Sequence, residues 1–125
     1  MYLKNIKINS FRNISQCKIE LSGNTNILLG ENGSGKTSIL EAIYFLNTAR
    51  SFRESKIENI IQHGQEYFSL YGEIADEKNS NYRIGIYKST DKTEMRLNGV
   101  RQFSSSPIAS ILPVVIISTD SSQLI

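Results

Sequence analysis

Three glycines, a lysine and a threonine within eight residues define the chemistry open to this chain. Residues 30 to 37 read Gly30-Glu31-Asn32-Gly33-Ser34-Gly35-Lys36-Thr37 and satisfy G-x-x-x-x-G-K-[ST] at every fixed position. Glycines let the backbone fold round an anion with its N–H groups pointing inward. Lys36 brings a point charge to the outer phosphates, and Thr37 offers a hydroxyl to Mg²⁺. The ligand implied is a nucleoside triphosphate. From average residue usage, a chain of this size would match the pattern by chance roughly once in a few hundred trials. The alternative, a glycine-rich turn that merely caps a helix, has no need of a lysine and a hydroxyl side by side.

Such a loop works only with a strand running into it and a helix leaving it. Ile27-Leu28-Leu29 is a short unbroken apolar run, as in a strand covered on both faces. Ile39, Leu40, Ile43, Tyr44 and Leu46 recur at helical spacing, which places Glu41 and Asn47 on the opposite side. A helix starting near Gly35 would turn its unpaired N–H groups and positive dipole end towards the phosphates.

The remaining pattern supplies a frame for this unit. Residues 2 to 9 and the stretch through Cys17, Ile19 and Leu21 alternate with period two and read as antiparallel strands, joined by a turn at Ser10-Phe11-Arg12-Asn13. Thr48 to Lys56 is an exposed basic segment with Arg50, Arg53 and Lys56 set round Phe52. Ile57, Ile60 and Ile61 suggest a short helix ending near His63-Gly64, with His63 interacting with its dipole. Alternation returns at Phe68, Leu70, Ile74 and at Tyr82, Ile84, Ile86, two strands linked as a hairpin by residues 76 to 81. Asn98-Gly99 marks a second hairpin, with arms 95–97 and 100–103. Ser106-Pro107 opens a short helix through Leu112, followed by a buried strand at 114–117. The expected class is α/β with a substantial antiparallel portion and no internal linker.

Composition narrows the setting. The 125 residues are 39% hydrophobic and 21% charged, as in globular domains. Net charge is +2, and the basic excess lies before residue 60, with eight Lys/Arg against five Asp/Glu, a hint of an anionic partner. Cys17 is the single cysteine and reads as a small core residue. One free thiol and no signal peptide suggest a cytoplasmic protein. The longest apolar stretch, Ile108 to Ile117, is broken by Ser110 and Pro113 and is too short to span a bilayer, so no membrane partner is expected. Neither N-K-x-D nor D-x-x-G occurs, which favours adenine over guanine. Asp120, after Val114 to Ile117 but separated from it by Ser118 and Thr119, is a metal-holding aspartate, a loop contact near the γ-phosphate or a plain turn residue.

Leu3-Lys4-Asn5-Ile6-Lys7-Ile8 leading to Phe11-Arg12-Asn13, the octet followed by Ser38 and Leu40-Glu41-Ala42-Ile43-Tyr44, and Ala49-Arg50-Ser51-Phe52-Arg53 together resemble the amino-terminal region of the RecF family of bacterial recombination mediators. The likeness runs through Pro113 to Asp120. That family sits with the SMC-like heads of the ABC-type ATPases, whose phosphate loop typically carries Asn at the position of Asn32. The resemblance implies a P-loop NTPase lobe, ABC/SMC-head-like, with a mixed sheet and an antiparallel β portion, spanning residues 1–125 as a single amino-terminal piece of a longer protein. It further implies ATP and Mg²⁺ as cofactors, an ATP-dependent homodimer, DNA gaps and single-strand/double-strand junctions as targets, and RecR and RecO as partners in repair and replication restart. Carried over residue by residue, Gly30, Glu31 and Asn32 begin the loop, and Lys36 with the amides of Gly33, Ser34, Gly35, Thr37 and Ser38 holds the phosphates. Thr37 holds the metal, and Arg12 and Asn13 lie near the nucleotide. A solvated turn residue is the other reading of Arg12. Arg50, Arg53 and Lys56 are DNA or partner contacts, or else an ordinary solvated basic surface.

The resemblance also implies that full-length relatives are weak DNA-dependent ATPases. Their signature segment and catalytic acid lie beyond the residues present here, so no catalytic residue is expected in this lobe and the lobe alone should be inactive. Ser118-Thr119 and Ser121-Ser122 depart from the usual Ser-Pro and acidic-leucine pairs. Two rivals share the octet. One is the nucleotide-binding subunit of an ABC transporter, against which stand Asn32 and the Phe-Arg-Asn turn. The other is an interaction module whose loop binds only phosphate or sulfate.

Overall fold

In the computed structural model, residues 2–21, 36–51, 54–75, 78 and 80–103 are described. The period-two segments become strands: β1 (Tyr2–Phe11), β2 (Ile14–Glu20), β3 (Tyr67–Ala75), β4 (Asn81–Ser89), β5 (Thr93–Leu97) and β6 (Val100–Gln102). The apolar run after the octet becomes α1 (Lys36–Thr48), and a 3₁₀ turn covers Ile57–Asn59. The strands form one six-stranded sheet in the order β2-β1-β3-β4-β5-β6, antiparallel at every pairing.

Register explains the core. Cys17, Ile8, Leu70, Ile86 and Met95 face one another across five strands, and Ile19, Ile6, Gly72, Ile84 and Leu97 form a parallel row. Because side chains alternate between faces, both rows point to the same side, where α1 packs. Phe45 of α1 meets Phe68 edge to face at 5.1 Å, Phe68 meets Phe11 at 5.0 Å, and Phe11 lies 6.4 Å from Phe45. Gly72 sits beneath Leu46, and a Cβ there would lie 2.5 Å from Leu46 Cδ2. The missing side chain lets the helix come down onto the sheet.

Three local expectations are corrected. The buried stripe of α1 is Ser38, Glu41, Ala42, Phe45 and Leu46, with Asn47 beside it, while Ile39, Leu40, Ile43 and Tyr44 are half-buried. Glu41 and Asn47 therefore lie inside, because a helix apolar on nearly every side leaves its phase undecided by pattern alone. Phe11 is the buried end of β1, paired with Ile14, so the turn is only Arg12-Asn13. The helix expected up to His63 ends at Asn59, since Ile61 instead bridges to Phe11. His63 thus lies in an exposed turn with Gly64, whose φ is +88°, rather than at a helix end.

The strand at 27–29, the helix from 106, the strand at 114–117, Asp120, Phe52 and Arg53 lie outside the described residues. So does any parallel, mixed-sheet portion. Cys17 is half-buried and packs against the core. Among the described residues no helix is long and apolar enough to cross a membrane.

Candidate nucleotide-binding site

The turn between β1 and β2 carries Arg12 and Asn13 to the start of α1. Only two residues join the strands, and Arg12 adopts φ +57°, a left-handed conformation unusual for a side chain of its size. Its N–H donates to the Ile60 carbonyl at 2.6 Å, so the 3₁₀ region holds the turn in place. The expected helix begins at Lys36 and presents its first turn, free of acidic residues, at the same place. The positive end of the helix is thus not offset from within that turn. Thr37 is half-buried, and the buried Ser38 hydroxyl donates to Asn13 Oδ1 at 3.4 Å.

These residues share one cleft of about 990 Å³, with Arg12, Asn13, Thr37 and Ser38 facing Asn59, Gln62 and His63. Of the positions expected to touch the nucleotide, the structure brings Arg12, Asn13, Thr37 and Ser38 together and places Lys36 at the first position of α1. Gly30, Glu31, Asn32, Gly33, Ser34 and Gly35 lie outside the described residues. Among the described residues the donor set, a helix N-terminus, two hydroxyls and a guanidinium around one opening, suits a polyphosphate and its magnesium, with Glu58 as the carboxylate that also lines the cleft.

Arg12 is not a loose turn residue. Its Nε donates to Glu41 Oε1 at 2.9 Å and its Nη2 to Oε2 at 3.0 Å, a bidentate pair, while Nη1 donates to the Asn59 carbonyl at 3.1 Å. The Glu41 side chain is fully buried and that of Arg12 is 22% exposed. The hydrogen bond to Glu41 outweighs desolvation and raises the guanidinium above its ordinary value, so Arg12 stays charged. Ser51 donates its hydroxyl to the same carboxylate. Pattern reading missed Glu41 as a site residue. Its one sequence signal was a carboxylate inside an otherwise apolar helix, which must find a partner if buried.

The basic segment takes a different place. Arg50 and Lys56 are exposed and do not line the cleft. Arg50 follows Ala49, which ends α1 at φ +61°, and the Arg50 N–H donates to Thr48 Oγ1 at 3.3 Å. The Lys56 N–H donates to Glu54 Oε1 at 3.0 Å, the main cause holding the Glu54 carboxyl below its usual range.

An antiparallel sheet backing a helix whose N-terminus meets the Arg12-Asn13 turn is the arrangement expected of an α/β lobe of the ABC/SMC-head class. Comparison with known proteins narrows the class. The family profile described as RecF/RecN/SMC N terminal domain matches residues 2–120, and the chain belongs to that family. It is 38% identical over 127 residues to the DNA replication and repair protein RecF of Shewanella loihica, covering 100% of this chain and 35% of that protein. With its counterpart in Pseudoalteromonas translucida the identity is 42% over 125 residues, covering 99% and 34%. A solved structure of the recombination mediator protein RecF with ATP in the RecFOR pathway superposes with a TM-score of 0.84 at 31% identity, covering 95% of this chain and 33% of that one. The chain thus spans about a third of the length of the curated relatives it matches.

Proposed function

We propose that this chain is the ATP-binding lobe of a RecF-type recombination mediator, a single lobe over residues 1–125. The amides of Gly33 to Ser38 and the Lys36 ammonium would hold the phosphates, and the Thr37 hydroxyl would hold Mg²⁺. Arg12 and Asn13 border the same space. The observation that carries this reading is the meeting of Thr37 and Ser38 with Arg12 and Asn13 across one cleft at the start of α1. Likeness to RecF solved with ATP supports it. The transporter alternative is not favoured, since the matching relatives are RecF proteins.

In the full-length protein this lobe serves an ATP-dependent homodimer that acts in the cytoplasm on DNA gaps and junctions with RecR and RecO. Arg50, Arg53 and Lys56 are offered to DNA or a partner. We assign no catalytic residue to the lobe. Titration with labelled ATP and Mg²⁺ tests the reading. Lys36→Ala should weaken binding about tenfold or more, and Thr37→Val should weaken its magnesium dependence while leaving the fold intact. Affinity indifferent to Lys36→Ala would leave a cleft that does not grip a triphosphate.

A further inference from the structure

The geometry points to Glu41 as a positioning residue for nucleotide, acting through Arg12; this rests on the ATP-binding reading above. A guanidinium has two edges able to make paired hydrogen bonds, and Glu41 occupies the Nε–Nη2 edge. Of the five N–H groups two go to Glu41 and one to the Asn59 carbonyl, so among the described residues two are left over at a group that lines the cleft. Pairing with Glu41 therefore aims Arg12 rather than consuming it.

The arrangement is built from several sides. Glu41 is fully buried one turn into α1, so its carboxylate is fixed relative to Thr37 and Ser38. Ser51 donates to Glu41 and also accepts the Glu54 N–H at 3.1 Å, while the carbonyls of Asn59 and Ile60 receive the Arg12 side chain and backbone. The ends of the 51–60 segment thus converge on one ion pair. A buried ion pair is a poor source of stability compared with apolar side chains of similar volume. What it supplies here is a guanidinium of fixed direction at the rim of a phosphate cleft. Its charge is largely offset by Glu41, so Arg12 contributes aimed donors, and the attraction for the polyanion comes from Lys36 and the helix end.

A double-mutant cycle on the full chain, read by ATP affinity with thermal unfolding as the fold control, tests this. Glu41→Gln keeps the shape and loses the charge-assisted fork. It should weaken ATP binding about tenfold, as should Arg12→Ala, and the double variant should bind no worse than Arg12→Ala alone. Ser51→Ala should give a smaller loss that also vanishes in the Arg12→Ala background, and it carries the cycle if Glu41→Gln does not fold. Unchanged or tighter binding in Glu41→Gln, or losses that add fully to Arg12→Ala, would overturn the positioning role. Lys36→Ala run alongside separates the failures. If it abolishes binding while the Glu41 and Ser51 variants change nothing, only this role falls; if it too changes nothing, the reading of the cleft falls.

Discussion

Where β1 and β3 pair, Phe11, Phe45 and Phe68 are fully buried and meet edge to face, and the partly buried Arg12–Glu41 pair brings Arg12 to the wall of the cleft. At the β5–β6 end, Val100 and Phe103 are 64% and 87% exposed, and the ion pair is Arg96 with Glu94, two residues apart on one strand. The first region joins residues 23 to 57 positions apart in sequence, and the second is a hairpin of adjacent strands closed by a two-residue turn. The proposed nucleotide site lies over the region whose contacts come from separate elements. Such contacts can hold a strained Arg12 backbone and a buried carboxylate that a hairpin alone could not.

Truncating the aromatic cluster should separate the two regions most strongly. Phe45→Ala is expected to cost about 3–5 kcal/mol, because a fully buried ring leaves a cavity between α1 and the sheet, whereas Phe103→Ala should stay within about 0.5 kcal/mol. Denaturant unfolding of both variants measures this, and comparable losses would erase the contrast.

The hairpin charge pair should give the smallest effect, and one confined to a pH range. The hydrogen bond from Arg96, then its charge, holds the Glu94 carboxyl below the usual range. A carboxyl more acidic in the folded chain stabilises above its unfolded value of about 4.3, and that contribution fades as pH falls through the lower folded value. Glu94→Gln should therefore lower Tm slightly at neutral pH, less at high salt, and not at all once both states are protonated. A loss that grows on acidification would show the sign to be wrong.

Much of the frame was legible because it is local. Alternation gave the strands in both hairpins, and Asn98-Gly99 gave the second turn, where φ values of +53° and +83° are those a tight two-residue turn demands. Asn98 Oδ1 also accepts the Arg83 N–H at 2.8 Å, which ties that turn to β4. What stayed hidden depends on partners far along the chain. Nothing near β1 announces that β3, some sixty residues later, lies beside it, nor that Phe11 belongs to the core rather than to a turn. Glu41 looked like the polar side of an amphipathic helix because its partner stands 29 residues earlier. Of the residues round the cleft, Thr37, Ser38, Arg12 and Asn13 were picked out by motif and resemblance, while Asn59 and Gln62, which also line it, and Glu41, which pairs with Arg12, became visible only once the elements were assembled.

Mapping amide shifts on the labelled chain as MgATP is added tests the central claim most directly. Changes should centre on residues 36–38 and on Arg12 and Asn13, with residues 93–102 of the β5–β6 hairpin unmoved. Shifts centred on the hairpin, with the first turn of α1 unaffected by saturating nucleotide, would contradict the account.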